Sequence, residues 1–352
     1  MIKFSDLFDD TDNKTNIKDI FTLKNKQQIP WVDKYRPSKL DEIVYQDEVV
    51  KMLKQTIIDG NLPHLLFYGP PGTGKTSTIL AIALELFGPK KFKERVIELN
   101  ASDERGINVV RGKIVTFAKT AIGDADPKYK CPPYKIIILD EADAMTTEAQ
   151  SALRKIMEDK SNITRFCFIC NYINQIIEPI NSRCVKFRFK PLTGESITKK
   201  LLDITKKENM IITKPVINEI IKLCKGDMRK SIMLLQHINY IKHNQKITID
   251  FICELTGYIN DELLNEINNK CIITRKNNIK IIMELANKIR SSGYPIYNIL
   301  NQINTIIIKS NILDNQQKAD ICIIISDTEK RLLDGADEYL QLLNLLISIN
   351  KC

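Results

Sequence analysis

The stretch from Gly69 to Thr76 limits what this chain can fold into more than any other, because it reads Gly-Pro-Pro-Gly-Thr-Gly-Lys-Thr. It fits the P-loop pattern G-x-x-x-x-G-K-[ST], in which small residues let backbone N–H groups curl around a phosphate. An apolar run at 65–68 precedes the loop as a candidate buried strand, and the apolar spacing over 76–86 predicts a helix after it. We therefore predict a strand, a phosphate-binding loop and a helix, in that order.

The predicted nucleotide site comprises this loop and the residue after it. Its members are Gly69, Pro70, Pro71, Gly72, Thr73, Gly74, Lys75, Thr76 and Ser77. Lys75 is expected to contact the β- and γ-phosphates, and the Thr76 hydroxyl is expected to hold Mg²⁺. A glycine-rich loop that binds nothing is the alternative, and the flanking strand and helix argue against it.

Length and composition describe an ordinary globular protein. With 352 residues the chain is long enough for two or three domains, each with its own core. Hydrophobic residues make up 43% and charged residues 27%, and the net charge of +9 permits a polyanionic partner without requiring one. No apolar stretch reaches the length of a membrane span, so we expect a soluble protein that does not contact a membrane.

Nine cysteines are scattered through the chain without a disulfide framework. Their number is odd and no secretory apolar segment opens the chain, which predicts reduced thiols in an intracellular compartment. Cys167 and Cys170 form a C-x-x-C within an apolar run, with no second pair at zinc spacing. We interpret them as core thiols, and a metal or redox pair is the alternative.

An acidic motif follows the Ile-rich run at 135–139, which has the composition of a strand buried on both faces. Asp140 and Glu141 come directly after this run. Given the P-loop, the arrangement predicts that Asp140 positions Mg²⁺ and that Glu141 orients and polarises the attacking water. An acidic helix start is the alternative, because carboxylates favour helix N-termini.

Strand and helix patterns alternate up to about residue 190. The predicted strands are 65–68, 95–99, 135–139, 165–170 and 185–189. Such alternation predicts a parallel sheet covered by helices, with ligands bound at the carboxyl ends of the strands. Asp140, Glu141 and Asn171 would then meet the P-loop at one edge of the sheet.

Beyond this region the patterns predict helices. The first three span 194–206, 214–224 and 227–243. Helices persist in the Asn- and Lys-rich region after residue 257, where the last one has an apolar face at helical spacing. The members of this face are Ala336, Tyr339, Leu340, Leu343, Leu346 and Ile347. At the other end of the chain, residues 1–29 are polar and charged, which predicts a flexible leader.

Six motifs together resemble one family. They are Pro-Trp-Val-Asp-Lys-Tyr-Arg-Pro (30–37), the P-loop (69–76), Glu-Leu-Asn-Ala-Ser-Asp-Glu-Arg-Gly-Ile (98–107), Leu-Asp-Glu-Ala-Asp (139–143), Ser-Arg-Cys (182–184) and Gly-Asp-Met-Arg-Lys (226–230). From residue 30 onward the sequence resembles the small subunits of replication factor C, the AAA+ clamp loader of eukaryotes, archaea and some large DNA viruses. The first, third and fifth motifs are the specific ones, because any P-loop ATPase could supply the second.

This resemblance implies an α/β fold: an AAA+ P-loop ATPase domain with a parallel sheet over 30–190, an α-helical lid over 191–256 and an α-helical C-terminal collar over 257–352. The collar would join other clamp loader subunits in a hetero-pentamer. With ATP and Mg²⁺, the complex would load a sliding clamp onto primer–template DNA. It would work in a nucleus or, for a viral protein, in the replication compartment of the host cell.

The resemblance also implies roles for individual residues. The adenine site would be lined by Val32, Arg36 and Val44. Asn171 matches the sensor 1 position, which helps place the attacking water, and Arg229 matches sensor 2, which reaches the bound phosphates from the lid. Arg183 matches the arginine finger, which acts on ATP held by the neighbouring subunit. From the residues alone, the segment 30–37 with Trp31 either fills a core edge or forms a wall of the base pocket.

Three cations after the Asn-Ala-Ser-Asp-Glu turn, Arg105, Arg111 and Lys113, match positions that track DNA phosphates in clamp loaders. An ordinary solvated helix face is the alternative. Two other classes of protein compete with the clamp loader. An AAA+ motor of the branch-migration type would need its own DNA-binding domain in place of a collar, and a scaffold that binds ATP without hydrolysis would be expected to lack Glu141 or Arg183.

The C-terminal region departs from the family, because its Asn- and Lys-rich sequence keeps only the helical pattern. The leader is also longer than a small subunit requires. The place of the C-terminal region in a collar is therefore inferred from its position, and no role is assigned to the leader.

Overall fold

The computed structural model describes residues 29–43, 46–101, 107–120, 123–242, 247–273 and 279–351. The predictions for 1–28, Val44 and Arg105 lie outside the described residues, as does the side chain of Arg111. Contacts between Cα atoms divide the chain into two compact units. The first comprises Met1–Ile204 and Cys224–His237, and the second comprises Thr205–Leu223 and Ile238–Cys352. The predicted boundaries of the ATPase, lid and collar domains stay a prediction.

A five-stranded parallel sheet forms the centre of the first unit. Its strands are β1 (Leu65–Tyr68), β2 (Val96–Asn100), β3 (Lys135–Asp140), β4 (Thr164–Cys170) and β5 (Val185–Arg188). The order across the sheet is β2-β3-β4-β1-β5, and every neighbouring pair is parallel. Each predicted strand is present, and no end differs by more than one residue. The α/β fold with a parallel sheet is therefore confirmed.

The helices are numbered in chain order through both units. They are α1 (Trp31–Lys34), α2 (Asp47–Asp59), α3 (Lys75–Arg95), α4 (Ile107–Lys119), α5 (Thr147–Lys160), α6 (Glu178–Asn181), α7 (Gly194–Lys207), α8 (Lys214–Leu223), α9 (Met228–Ile241), α10 (Ile249–Thr256), α11 (Asp261–Ile267), α12 (Ile279–Ser291), α13 (Ile296–Lys309), α14 (Asn315–Leu333) and α15 (Glu338–Lys351). Among the described residues, no helix is long and apolar enough to cross a membrane.

The long helix α3 is broken near its middle, where the sequence predicts its end. Gly88 has φ 65° and ψ 167°, which is not helical, and Pro89 follows it. A Cβ on Gly88 would also lie 2.3 Å from a ring carbon of Tyr129, so a larger residue would adopt a strained backbone conformation and displace that ring. The helix predicted over 76–86 is thus the first half of α3, and the second half leads into β2.

Side chains that alternate along the strands build two apolar layers, one on each face of the sheet. Phe67, Ile136 and Ile138 face α2 and α3, while Leu66, Ile137 and Leu139 face α5 and α6. Because both faces are covered, the strands are apolar runs rather than alternating ones.

The two cysteines of the C-x-x-C belong to opposite layers of this core. Cys167 packs in the cluster beneath α3, and Cys170 packs in the cluster beneath α5. Both are buried, unpaired thiols, and burial raises the pKa of Cys170 to about 12. Side chains on opposite faces of a strand cannot bind one metal ion or form a disulfide. The interpretation as core thiols is confirmed.

In the second unit, helices α11 to α15 and a π-helical turn at Asn268–Ile273 share one apolar core. The predicted apolar face of α15 is wrong in part, since Leu340 is 59% exposed and Ala336 precedes the helix. The fully buried positions are Leu342, Leu345, Leu346 and Ile349, and Tyr339, Leu343 and Ile347 pack at their margin. Leucines and isoleucines occur on most sides of this helix, so periodicity alone admitted two faces.

Candidate active site

The carboxyl ends of β1, β2, β3 and β4 meet at one edge of the sheet, as parallel pairing requires. The P-loop follows β1 there, Asn100 and Asp140 end two strands that pair in register, and Asn171 follows β4. The sequence predicted this convergence. Hydrogen bonds at this edge join Lys75 to Asn171 and Thr76 to Asp140.

Glycine is required at two positions of the loop, because the surrounding chain approaches closely. Gly69 and Gly72 have φ values of 144° and 72°, in the region that favours glycine. A Cβ on Gly69 would lie 2.3 Å from the carbonyl oxygen of Phe189, and one on Gly72 would lie 2.1 Å from Oδ1 of Asp227. The loop is thus confined from two sides.

Lys75, the first residue of α3, lies inside the loop and is only 7% exposed. Its Nζ donates hydrogen bonds to the carbonyl oxygens of Gly69 (2.7 Å) and Pro70 (2.9 Å) and to Oδ1 of Asn171 (2.9 Å). Loss of hydration through burial lowers the pKa of Lys75, and the nearby Asp140 carboxylate opposes that shift. The ammonium group is therefore buried mainly among neutral acceptors.

Thr76 and Asp140 place two oxygen atoms that could bind a metal ion beside the lysine. The Thr76 hydroxyl donates to Oδ2 of Asp140 at 2.7 Å, and Oδ1 of Asp140 accepts from the backbone N–H of Glu141 at 2.9 Å. A hydroxyl and a carboxylate are hard oxygen ligands of the kind that Mg²⁺ takes together with phosphates and water. The described residues contain no cluster of three His, Cys, Asp or Glu side chains that could hold a metal ion without ligands from phosphate or water.

Glu141 lies in the left-handed backbone region, with φ 53° and ψ 39°. Residues other than Gly, Asn and Asp adopt this conformation rarely, and it occurs often at functional sites. The bend turns the chain from β3 into the short 3-10 turn Ala142–Ala144 and leaves the Glu141 side chain exposed at the cavity.

Asp143 holds the predicted sensor Asn171 in place, a function that the sequence reasoning missed. Its Oδ2 accepts hydrogen bonds from the backbone N–H groups of Asn171 (2.9 Å) and Tyr172 (3.2 Å). The side chain of Asn171 is thereby directed at Lys75. Asp143 is the last acid of the Leu-Asp-Glu-Ala-Asp motif, so the available signal was an acid two residues beyond the expected pair.

A cavity of about 450 Å³ adjoins the loop within the first unit. Predicted residues among its lining are Val32, Arg36, residues 71–77, Asp140, Glu141, Asn171 and Arg229. Residues that the prediction missed are Tyr35, Pro37, Ile43, Glu98, Asn100, Leu192, Lys200, Met228 and Ile232. Most of the missed residues lie next to recognised motif positions, so proximity in sequence was the only signal for them.

The tryptophan segment fills an edge of the core and also lines the cavity, and its role as a wall of a base pocket stays a prediction. Trp31 is buried, and its backbone N–H donates to Oε1 of Gln236 at 3.0 Å. Val32 and Arg36, one and five residues further on, line the cavity. Burial raises the pKa of Glu98, another lining residue, and the charge of Arg36 opposes that shift.

The residue before α9, Asp227, lies next to the P-loop. Its Oδ1 accepts from the backbone N–H groups of Arg229 (2.9 Å) and Lys230 (3.2 Å), which caps the helix. The same oxygen is the atom that a Cβ on Gly72 would strike. Arg229 is thus placed at the cavity by a carboxylate that also confines the loop.

Arg183 does not line this cavity. Its Nη2 lies 2.6 Å from Oε1 of Glu158, its Nη1 donates to the carbonyl oxygen of Pro179 at 2.7 Å, and 37% of the side chain is exposed. The predicted role on a neighbouring subunit stays a prediction. Lys113 is exposed on α4, and the DNA role predicted for it with Arg105 and Arg111 also stays a prediction.

The fold and the cavity are those of a known class of ATPase. The sequence model of the ATPase family associated with various cellular activities (AAA) matches residues 65–192, which include all five strands and the loop. The chain is therefore a nucleotide-binding AAA ATPase. A second model, the replication factor C C-terminal domain, matches residues 259–348.

Curated relatives then identify the family. Replication factor C subunit 2 of Schizosaccharomyces pombe is 46% identical over 92% of this chain and 95% of its own length. Replication factor C subunit 4 of Homo sapiens is 46% identical over 93% of this chain and 89% of its own length. The replication factor C small subunit of Archaeoglobus fulgidus is 44% identical over 89% of this chain and 94% of its own length. The chain belongs to the replication factor C family, the clamp loader that the motifs indicated, and that prediction is confirmed.

A solved structure of a RuvB mutant from Thermotoga maritima also aligns, with a TM-score of 0.51 over 76% of this chain and 92% of that chain. RuvB itself is named as a Holliday junction branch migration motor. The sequence identity is 17%, so this likeness shows the fold alone. It lends no support to the branch-migration alternative.

Proposed function

We propose that this chain is an ATP-hydrolysing subunit that joins other replication factor C subunits in a hetero-pentamer and loads a sliding clamp at primer–template junctions. One observation carries the proposal for the chemistry: Lys75, Thr76, Asp140, Glu141 and Asn171 border a single cavity. Membership of the replication factor C family supports the proposal for the task. ATP binding would order the complex around clamp and DNA, and hydrolysis would release both.

Lys75 would bind the β- and γ-phosphates of ATP. Its ammonium group donates to the neutral oxygens of Gly69, Pro70 and Asn171, and burial weakens its hydration. A phosphate oxygen carries more negative charge than a carbonyl oxygen, so it is the stronger acceptor for a buried cation. The backbone N–H groups at the start of α3 would contribute in the same direction.

The adenine base would occupy the apolar part of the cavity. That part is lined by Val32, Tyr35, Pro37, Ile43, Leu192, Met228 and Ile232. These residues come from the segment before β1 and from α9 and its surroundings, all within the first unit. A concave pocket with apolar walls and a few polar groups suits a nucleotide base.

Thr76 and Asp140 would hold Mg²⁺, because they bring a hydroxyl and a carboxylate oxygen together beside the phosphate loop. Held there, Mg²⁺ would supply positive charge that offsets the charge developing on the phosphate oxygens. Two protein ligands suffice for such a site, since phosphate oxygens and water complete the shell.

Glu141 and Asn171 would place the attacking water. The Glu141 carboxylate is exposed at the cavity on a bend of the backbone, where it can accept a hydrogen bond from water and polarise it. Asn171 would add an amide oxygen or N–H, held in position by Asp143. Arg229 would contact the phosphates from the start of α9.

Arg183 would complete the site of the neighbouring subunit rather than its own. The transition state of phosphoryl transfer spreads negative charge over equatorial oxygens, and an arginine finger can contribute about 10³ to 10⁵ in rate. Arg183 does not line the cavity of its own chain and its side chain is partly exposed, and both observations support a role in trans.

The same proposal covers the remaining segments. Residues 30–190 would be the ATPase domain, residues 191–256 the lid and residues 257–352 the collar that assembles the pentamer. Arg105, Arg111 and Lys113 would follow DNA phosphates in its chamber. The protein would act where DNA is replicated, in a nucleus or in a viral replication compartment.

The test is co-expression with partner replication factor C subunits, followed by ATPase assays with sliding clamp and primer–template DNA added singly and together. We expect the two together to raise the ATPase rate above that of either alone, because loading needs both. Holliday junction DNA serves as the control for a branch-migration motor. Stimulation by the junction, with none by clamp and primer–template, would contradict the proposal.

Replacement of Arg183 by alanine is expected to slow hydrolysis in the neighbour's site and to spare the site of the mutated chain. The expected loss at that interface is about 10³-fold, at the low end for an arginine finger. Pentamers in which only this chain is mutated, combined with a hydrolysis-deficient variant of one subunit at a time, locate the affected site. An unchanged rate at every interface would reject the role in trans.

A further inference from the structure

One face of α5 supports the segment that carries Arg183. Gln150, Arg154 and Glu158 are spaced four residues apart, so they lie on the same side of the helix. The segment from Gln175 to Arg183, which includes α6, contacts this face at both ends through side chains of α5.

Gln150 fixes the first end of the segment. It is 1% exposed, and its Oε1 accepts from the backbone N–H of Ile177 at 2.8 Å. Its Nε2 donates to the carbonyl oxygens of Gln175 (2.9 Å) and Met145 (3.3 Å). Ile180, fully buried, anchors α6 in the apolar layer below. The backbone that leads to Arg183 is therefore held firmly on α5.

Glu158 holds the other end, at the guanidinium itself. Its Oε1 lies 2.6 Å from Nη2 of Arg183 and accepts from Nε of Arg154 at 3.1 Å. The Nη1 of Arg183 donates to the carbonyl oxygen of Pro179 at 2.7 Å. Two acceptors on separate elements thus define both the position and the plane of the Arg183 side chain.

The pair has little to contribute to folding. The Arg183 and Glu158 side chains are 37% and 40% exposed, and ion pairs in such settings are screened by water. The hydrogen bond from Arg154, with a further contribution from Arg183, lowers the pKa of Glu158. A fixed orientation of the arginine is therefore the main consequence of the contact.

We propose that Glu158 is a positioning residue for Arg183, which orients the guanidinium before the neighbouring subunit docks. The inference rests on the proposed role of Arg183 in trans. An arginine held in advance loses less side-chain freedom when it meets the transition state, and small misplacements of a catalytic group are costly in rate.

The test compares Glu158→Ala, Glu158→Gln and Asp159→Ala in the assembled complex with clamp and primer–template DNA. Glu158→Ala is expected to lower kcat at the interface with the neighbour by about 10- to 100-fold and to leave KM for ATP unchanged. Glu158→Gln keeps an amide oxygen for Arg183 and is expected to restore most of that loss. Asp159→Ala removes the adjacent exposed carboxylate of α5 and should match wild type.

A double variant separates this inference from the role of Arg183. Arg183→Ala combined with Glu158→Ala is expected to be no slower than Arg183→Ala alone, because Glu158 acts through the arginine. If Arg183→Ala has no effect, the role in trans is wrong. If Arg183→Ala slows hydrolysis and Glu158→Ala does not, or if the double variant is slower than Arg183→Ala, the positioning role is wrong. Subunit incorporation and thermal unfolding, measured for each variant, are expected to be unchanged.

Discussion

Replacement of Lys75 by methionine is expected to weaken ATP binding by at least about 100-fold. The lysine would donate several charge-assisted hydrogen bonds to the β- and γ-phosphates, and each such bond contributes about 1.5 to 3 kcal/mol. Loss of about 2.8 kcal/mol corresponds to a factor of 100 in the dissociation constant. Methionine keeps an unbranched chain of similar length, so the change removes chiefly the charge.

The fold is expected to survive this change. Burial lowers the pKa of Lys75, which means that its protonated form is less favourable in the folded chain than in the unfolded one. Removal of the charge therefore relieves an unfavourable burial while it removes the bonds to Gly69, Pro70 and Asn171. We expect the midpoint of thermal unfolding without ATP to stay within about 3 °C of wild type.

Thermal unfolding with and without ATP and Mg²⁺ measures the effect on affinity. A ligand at 100 times its dissociation constant stabilises the folded chain by about 2.7 kcal/mol, so wild type should show a clear upward shift. A variant with a 100-fold weaker affinity would gain only about 0.4 kcal/mol at the same concentration, so its shift should be much smaller. Calorimetric titration of ATP provides the dissociation constants directly.

Lys200→Met is the matched control, because Lys200 lines the same cavity from α7. It should retain most of the ATP-induced shift. If Lys75→Met also retained the shift, the P-loop would not be the phosphate site. If both lysine variants lost it equally, binding would depend on the overall charge of the cavity.

The edge of the sheet could be predicted because it follows from order along the chain. Strands β1 to β4 end in, or lead directly into, a polar residue or the P-loop, and parallel strands bring their carboxyl ends together whatever their order in the sheet. Asp140, Glu141 and Asn171 were therefore assignable without knowledge of which strands are neighbours. The strand order β2-β3-β4-β1-β5 could not be predicted, since the sequence pattern is the same for any order.

Contacts between distant residues lay beyond the sequence. Gly72 needs to be glycine because Asp227 approaches it from the start of α9, and Lys75 meets Asn171 across 96 positions of the chain. No local pattern encodes such distances. The exposed side of α15 was misjudged for a related reason: Leu340 and Leu342 are equally apolar, and only packing against the neighbouring helices buries one of them.

Glu141→Gln is expected to leave ATP bound and to slow its hydrolysis by about 10² to 10⁴. Glutamine has the same shape and can still hydrogen bond to water, but it cannot accept a proton or polarise water with a negative charge. The bend at φ 53° costs glutamine about what it costs glutamate, so stability should not change. Single-turnover hydrolysis in the assembled complex measures the rate, and the titration used for Lys75→Met measures the affinity.

Asp140→Asn provides the contrast. Asp140 accepts a hydrogen bond from the Thr76 hydroxyl and would bind the metal ion. Loss of its carboxylate should therefore weaken Mg²⁺-dependent ATP binding as well as hydrolysis. A wild-type rate for Glu141→Gln would remove Glu141 as the residue that orients the water. A loss of affinity equal to that of Asp140→Asn would instead place Glu141 among the metal ligands.

Variants of Glu141 and Lys75 separate the two halves of the proposed cycle. A complex with Glu141→Gln in this chain would bind ATP, clamp and DNA, yet this site could not proceed to release. A complex with Lys75→Met would lack ATP at the same site and so should fail before clamp and DNA are engaged. Retention of clamp on primer–template DNA should therefore be longer than wild type for Glu141→Gln and shorter for Lys75→Met. Equal retention in both variants would show that this site does not govern release, even if it hydrolyses ATP.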